Sequence, residues 1–224
     1  MELNEISLLD SITLTGNDAL VVVDMQNDFM PGGALAVNEG DTIIDGVNRI
    51  MRTFFKKDLT VVLTQDWHPA DHKSFASAYP GKKPFDPFEA PGIGPILWPD
   101  HCVQGTDGAH FHKDLDITLA HAIIRKGYRT DIDSYSGFLD NDKQSTTGLD
   151  GLLTSKKIRR IFTCGLALDY CVFFTATDGI DMGFEVIFIP DLTRAVGDPE
   201  DSVSNALETM VKKGIQFAQS SIII

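Results

Sequence analysis

Positive charge is scarce in this chain of 224 residues: 19 Lys+Arg stand against 32 Asp+Glu, a formal net charge of −13. That excess excludes a basic nucleic-acid face or a polybasic membrane anchor, because both partners are polyanions. Cysteine is also scarce, with three residues and no CxxC spacing. An odd count without pairing geometry argues against a disulfide framework and for a reducing compartment with functional thiols. No run of 18 apolar residues offers a transmembrane helix. The N-terminus, Met1-Glu2-Leu3-Asn4-Glu5, is acidic where a secretory or transit peptide would be basic. The expected compartment is therefore cytoplasmic. Also missing are internal repeats, low-complexity tracts, a P-loop, a GxGxxG turn and any Ser-His-Asp order.

The chain does contain short apolar runs alternating with helix-period segments. The runs are Ala19–Val23, Thr60–Thr64, His121–Arg125, Ile158–Cys164, Glu185–Pro190 and Ile215–Ala218. Residues 41–57 place Ile43, Ile44, Val47, Ile50, Met51, Phe54 and Phe55 on one helical face, with Asp41 as N-cap. A second helix is expected from Tyr170 to about Met182. A third begins at Asp198-Pro199, with proline at the first helical position and Gly214 as its stop, and buries Val203, Ala206, Leu207, Met210 and Val211. This alternation predicts an α/β fold: a three-layer, doubly wound, mostly parallel sheet of about six strands with helices on both faces. Sites in such sheets form at the carboxyl ends of the strands. Seven of the ten prolines fall between Pro69 and Pro99, so that stretch reads as an irregular loop with its own role.

Candidate chemistry collects at the strand ends. Asp66-x-His68 puts a carboxylate and an imidazole on one side of an extended chain, with His72 a turn away and His101 beyond the proline-rich loop. Three imidazoles and one carboxylate suit zinc, iron or manganese, although a lone D-x-H is more often a satisfied structural pair. His110 and His112 read as surface residues. Cys164 sits in an apolar run and reads as core, and Cys102 beside His101 reads either as packing or as support behind a metal ligand. Cys171 opens a predicted helix, where free N–H groups would lower a thiol's pKa and could hold an oxyanion. Asp24 and Lys126 end two other strands. Alone, each is adequately explained as a cap or a solvated charge. Together with Cys171 they form a set in which lysine favours the thiolate and the carboxylate moves the proton.

Taken jointly, these stretches resemble one family. Val22-Val23-Asp24-Met25-Gln26-Asn27-Asp28-Phe29, Asp66-Trp67-His68-Pro69, Trp98-Pro99-Asp100-His101-Cys102-Val103-Gln104, Lys126-Gly127, Asp133-Ser134-Tyr135-Ser136 and Gly165-Leu166-Ala167-Leu168-Asp169-Tyr170-Cys171-Val172 occur in order. The pattern resembles the nicotinamidase/pyrazinamidase branch of the isochorismatase-like cysteine hydrolases, over almost all of 19–218. The resemblance implies a metal-dependent hydrolase that converts nicotinamide to nicotinate and ammonia through a thioester, in NAD salvage, and that also accepts pyrazinamide.

By the same resemblance Asp24, Lys126 and Cys171 are the catalytic triad, and the N–H groups of Ala167 and Cys171 form the oxyanion hole beside a cis Leu166–Ala167 peptide. Phe29, Trp98 and Tyr135 wall the substrate pocket. Asp66, His68, His72 and His101 bind one divalent ion, zinc first, with iron or manganese as alternatives. Leu168 departs from the family's usual threonine. The expected division is an N-terminal extension, 1–18, and one hydrolase domain, 19–224. The expected partner is a small molecule, with no nucleic acid or membrane, and a homo-oligomer is left open. Two other readings remain: hydrolysis of another small amide or an isochorismatase-type ether, and a non-catalytic metal-stabilised module. The metal ligands and Trp98 speak against the ether, and the intact triad against the module.

Overall fold

A computed structural model describes residues 1–223. Among these residues six strands form one all-parallel sheet: β1 (Asp18–Val23), β2 (Thr60–Asp66), β3 (Ala122–Lys126), β4 (Arg160–Leu166), β5 (Glu185–Arg194) and β6 (Gln216–Phe217). Their spatial order is β3-β2-β1-β4-β5-β6. The order reverses between β1 and β4, so the crevice of this doubly wound sheet opens at the carboxyl ends of those two strands. Among the described residues four α-helices complete the fold: α1 (Ile44–Lys56), α2 (Leu149–Ser155), α3 (Phe173–Asp181) and α4 (Ser202–Lys212). Helix α1 packs on β1 and β2, and α3 packs on β4 and β5. No described helix is long and apolar enough to cross a membrane.

β1 and β2 are buried at every position, which is why they read as unbroken apolar runs. Strands β2, β3 and β4 each run past the apolar stretch that announced them, to Asp66, Lys126 and Leu166. In β2 and β3 polar side chains interrupt the hydrophobic pattern while the backbone ladder continues. β5 also runs through Pro190 to Arg194. Its pairing with β4 is irregular between Thr163 and Gly165, so the N–H that proline lacks falls where the ladder lapses. Gly165, at φ +108°, approaches the Val23 carbonyl so closely that a Cβ there would collide with it.

Several local expectations are corrected. Asp41 caps no helix; it lies in a 3-10 turn, Gly40–Ile43, that feeds α1 without a side-chain cap. Phe55 falls off the buried face of α1 and is 47% exposed, whereas its neighbour Phe54 is fully buried. Pro199 precedes α4 rather than opening it, because Tyr170 Oη donates to the Asp198 carbonyl and Asp169 holds the Gly197 N–H, fixing that segment as a turn. Val211 is exposed. The last strand shortens to two residues, alongside which Leu8 of the N-terminal segment pairs with Phe217. The proline-rich stretch is irregular apart from one 3-10 turn, Ala76–Ala78, and is stitched to itself by Ala76 N–H to Trp98 O and Trp98 N–H to Ser74 O, both 2.8 Å.

The contrast on α1 is measurable by urea denaturation. Phe54→Ala is expected to lower stability by about 3–5 kcal/mol and Phe55→Ala by less than about 1 kcal/mol.

Candidate active site and cation site

Asp24 follows β1, Asp66 ends β2, Lys126 ends β3 and Cys171 follows β4. The parallel register therefore brings four chemically capable side chains to one end of the sheet. Lys126 is at their centre and fully buried. Its three N–H donors go to Asp66 Oδ1 (2.5 Å), the Ser134 carbonyl (3.0 Å) and Cys171 Sγ (3.3 Å). Asp24 Oδ2 lies 2.9 Å from the same nitrogen as an ion pair but accepts no well-formed hydrogen bond. Asp24 Oδ1 accepts from Thr64 Oγ1 at 2.6 Å. One oxygen of Asp24 is thus fixed and the other has a free lone pair beside the thiol.

The two carboxylates are pushed in opposite directions. Burial, reinforced by the Asp66 charge, raises the Asp24 carboxyl above its ordinary value despite Lys126. Burial also opposes ionisation of Asp66, but Lys126, His68 and His101 outweigh it and hold that carboxyl well below the usual range. Asp24 is therefore the better proton acceptor and Asp66 the permanent anion. Burial lowers Lys126, yet Asp24 and Asp66 more than offset it, so the ammonium keeps its charge.

The expectation for Cys171 changes. It does not open a regular helix but lies in a π-helical turn, Leu168–Val172, ahead of α3. Burial pushes the thiol well up, with Lys126 opposing and Asp24 and Asp66 adding. The resting group is a protonated thiol that needs a base at hand. The Leu166–Ala167 peptide is cis, and the Ala167 carbonyl accepts from Tyr170 and Val172.

Asp66 turns its second oxygen to the imidazoles, with Oδ2 3.7 Å from His68 Nε2 and 3.8 Å from His101 Nε2. Those separations exceed a hydrogen bond and match ligands about 2 Å from a shared ion, which lie roughly 3–4 Å apart. His68 Nδ1 is 2.8 Å from the Gly127 carbonyl and His101 Nδ1 2.8 Å from the Pro99 carbonyl. Each Nδ1 carries the proton, which leaves both Nε2 lone pairs free for a cation. Burial and His68 drop His101 to about 4, so it is neutral at physiological pH. This donor set fits a divalent metal. Gly127, at φ +65°, is required, because a Cβ there would strike the His68 ring.

His72 is arranged differently. Its Nδ1 accepts from the Ser74 backbone N–H at 3.2 Å, and its Nε2 faces the Ile132 carbonyl at 3.3 Å. It stacks beside His68 at 4.4 Å between centroids but does not join Asp66 and His101 around one point.

Asp66, His68, His101 and Cys171 line a pocket together with Phe29, Trp98, Tyr135 and Tyr170. Trp98 Nε1 donates to Tyr135 Oη at 3.0 Å, and Tyr135 Oη to the Gly94 carbonyl at 2.9 Å, which fixes the wall. The sequence assigned no role to Tyr170, Ser134 or Thr64; neighbourhood in space, not spacing in the chain, gives them one. Leu168 is buried in the core. Cys164 is buried in β4, and Cys102 is buried with its N–H on Asp28 and its carbonyl holding the His68 N–H. His110 is exposed.

The family model described as the isochorismatase domain matches residues 18–221. The chain belongs to the isochorismatase family. Within that family it is 44% identical over 208 residues to the nicotinamidase of Acinetobacter baylyi, covering 93% of this chain and 95% of the relative. The solved nicotinamidase/pyrazinamidase of Acinetobacter baumanii superposes with a TM-score of 0.88 at 45% identity, over 92% of this chain and 98% of that one. A Pyrococcus horikoshii pyrazinamidase in complex with zinc superposes at 0.74 with 42% identity, over 91% and 99%.

The geometry separates the three histidines. His101→Ala is expected to weaken zinc binding by more than about 100-fold, whereas His72→Ala should change it by less than about tenfold, as read by chelator competition. Equal losses would return His72 to the donor set.

Proposed function

We propose that this isochorismatase-family hydrolase is a nicotinamidase, converting nicotinamide and water to nicotinate and ammonia, and that it also takes pyrazinamide. The observation that carries the reading is Lys126: one buried ammonium touches the thiol, the base and the carboxylate of the cation site. The ion is assigned as zinc, with iron and manganese as alternatives, held by Asp66, His68 and His101. When bound it supplies a Lewis-acidic point that anchors the ring nitrogen. The proposed place of reaction is the cytoplasm, in NAD salvage.

In the proposed sequence Asp24 Oδ2 accepts the Cys171 proton as Sγ attacks the amide carbon. The tetrahedral oxyanion is held by the N–H groups of Ala167 and Cys171, each contributing on the order of 3 kcal/mol in comparable sites. Asp24 returns the proton to the departing nitrogen, ammonia leaves, and a thioester remains on Sγ. Asp24 then takes a proton from the attacking water, the C–S bond breaks, and Cys171 is reprotonated as nicotinate is released. Lys126 balances negative charge throughout, first on Asp24 and then on sulfur. Phe29, Trp98, Tyr135 and Tyr170 exclude bulk water and sandwich a planar ring.

Ammonia release from nicotinamide tests the scheme. Cys171→Ala is expected to lower kcat by at least about 10⁴-fold, as loss of other enzymic nucleophiles does. Chelation should abolish turnover of the wild type, and added zinc should restore it. Turnover that survives both treatments would refute the proposal.

A further inference from the structure

The pocket beside Cys171 has about 20 Å3 of free space, far below the roughly 300 Å3 or more of an open ligand site. A planar aromatic amide therefore enters only when part of the wall moves. Among the described residues, those lining the pocket are all buried except Val196, which is half-buried and marks where the pocket meets solvent. Val196 lies in the irregular segment 195–201, between β5 and α4.

Among the described residues, no backbone–backbone hydrogen bond joins this segment to the sheet or to α3. Two adjacent side chains of the nucleophile's own turn hold it instead. Asp169 Oδ1 accepts from Val196 N at 2.9 Å. Asp169 Oδ2 accepts from Gly197 N at 2.8 Å and, just past the segment, from Ser202 Oγ at 2.6 Å. Tyr170 Oη donates to the Asp198 carbonyl at 2.6 Å. Asp169 is 5% exposed, and both of its oxygens serve this one stretch. Hydrogen bonds to a buried carboxylate are among the strong ones, and this carboxylate also faces the positive end of α4. These four bonds can release together while every strand pairing stays intact. They begin two positions from Cys171 and end on the residue at the pocket's mouth.

We propose that segment 195–201 is the movable outer wall of the ring pocket, that Val196 limits which planar aromatic amides are held, and that Asp169 is the positioning residue that latches this wall shut. The substrate rests on the nicotinamidase reading; the latch does not. Closure holds the ring beside Cys171 and excludes water, so the latch acts on binding before it acts on chemistry.

The test combines steady-state kinetics on nicotinamide with alkylation of Cys171 by iodoacetamide, mapped by peptide mass spectrometry on the metal-loaded full chain. Asp169→Asn keeps the shape but removes the charge and sets an amide N–H2 against a backbone N–H. It is expected to raise KM about 10–100-fold, the equivalent of one hydrogen bond to a charged group, with kcat within about threefold. Alkylation of Cys171 should quicken by a similar factor, while the fully buried Cys102 and Cys164 stay unlabelled. Ser202→Ala removes one donor from α4 without altering the nucleophile's turn or any charge. It should move both readouts the same way by about 2–10-fold, and it carries the test by itself where Asp169→Asn does not fold. A fall in kcat at unchanged KM assigns Asp169 to support of the nucleophile and overturns the latch. Labelling of all three cysteines together marks general loosening and also overturns it, as does wild-type KM and labelling in both variants. Absence of nicotinamide turnover in the wild type, with the labelling difference intact, overturns the nicotinamidase reading and leaves the latch standing.

Discussion

The structure turns on one buried positive charge. Lys126 has no exposure to solvent, and an isolated ammonium in that position would be prohibitively unfavourable. It is tolerated because Asp24, Asp66, Ser134 and Cys171 surround it with acceptors. The same arrangement constrains the fold. Four strand ends must meet at one point, and only a parallel sheet with its order reversing between β1 and β4 brings their carboxyl ends together there. The thiol and the cation site are then not neighbours by accident: Asp66 gives one oxygen to the ammonium and the other to the imidazoles.

That sharing divides labour between two chemically identical groups. Asp24 and Asp66 contact the same lysine, yet one is raised and the other depressed, because only Asp66 also faces His68 and His101. The environment, rather than the residue type, suits one carboxylate to the proton-carrying part proposed for it and makes the other a fixed anion. Cys171 follows the same logic. Its burial opposes ionisation, so in the proposed scheme the thiol relies on Asp24 and Lys126 at the moment of attack rather than on a standing thiolate.

Much of this was legible in the sequence, for identifiable reasons. Buried parallel strands leave continuous apolar runs, so β1 and the starts of β2 and β3 were found within a residue or two. The strands' far ends were not, because Asp66 and Lys126 break the apolar pattern while remaining in the ladder. Asp24, Lys126, Cys171, Asp66, His68 and His101 could be named from residue type, order and motif. His72 could be named but not placed, since only geometry shows its Nε2 turned to the Ile132 carbonyl. Asp133 was visible within a motif, but its unpaired oxygen exists only in three dimensions. Helix α2 is seven residues long and too short to show a period.

The proline-rich loop carries Trp98 to the pocket wall and delivers His101 just beyond it. Each proline narrows the conformations of the unfolded chain, by about 0.4–1 kcal/mol where its fixed φ suits the fold. The loop is further held by its internal backbone bonds and by the Tyr135 hydroxyl on Gly94. A wall ordered in advance behaves as a stencil. It discriminates by outline, so a ring bearing a bulky substituent on the Trp98 side is turned away sterically, and widening that outline by mutation is the direct route to a hydrolase for larger aromatic amides.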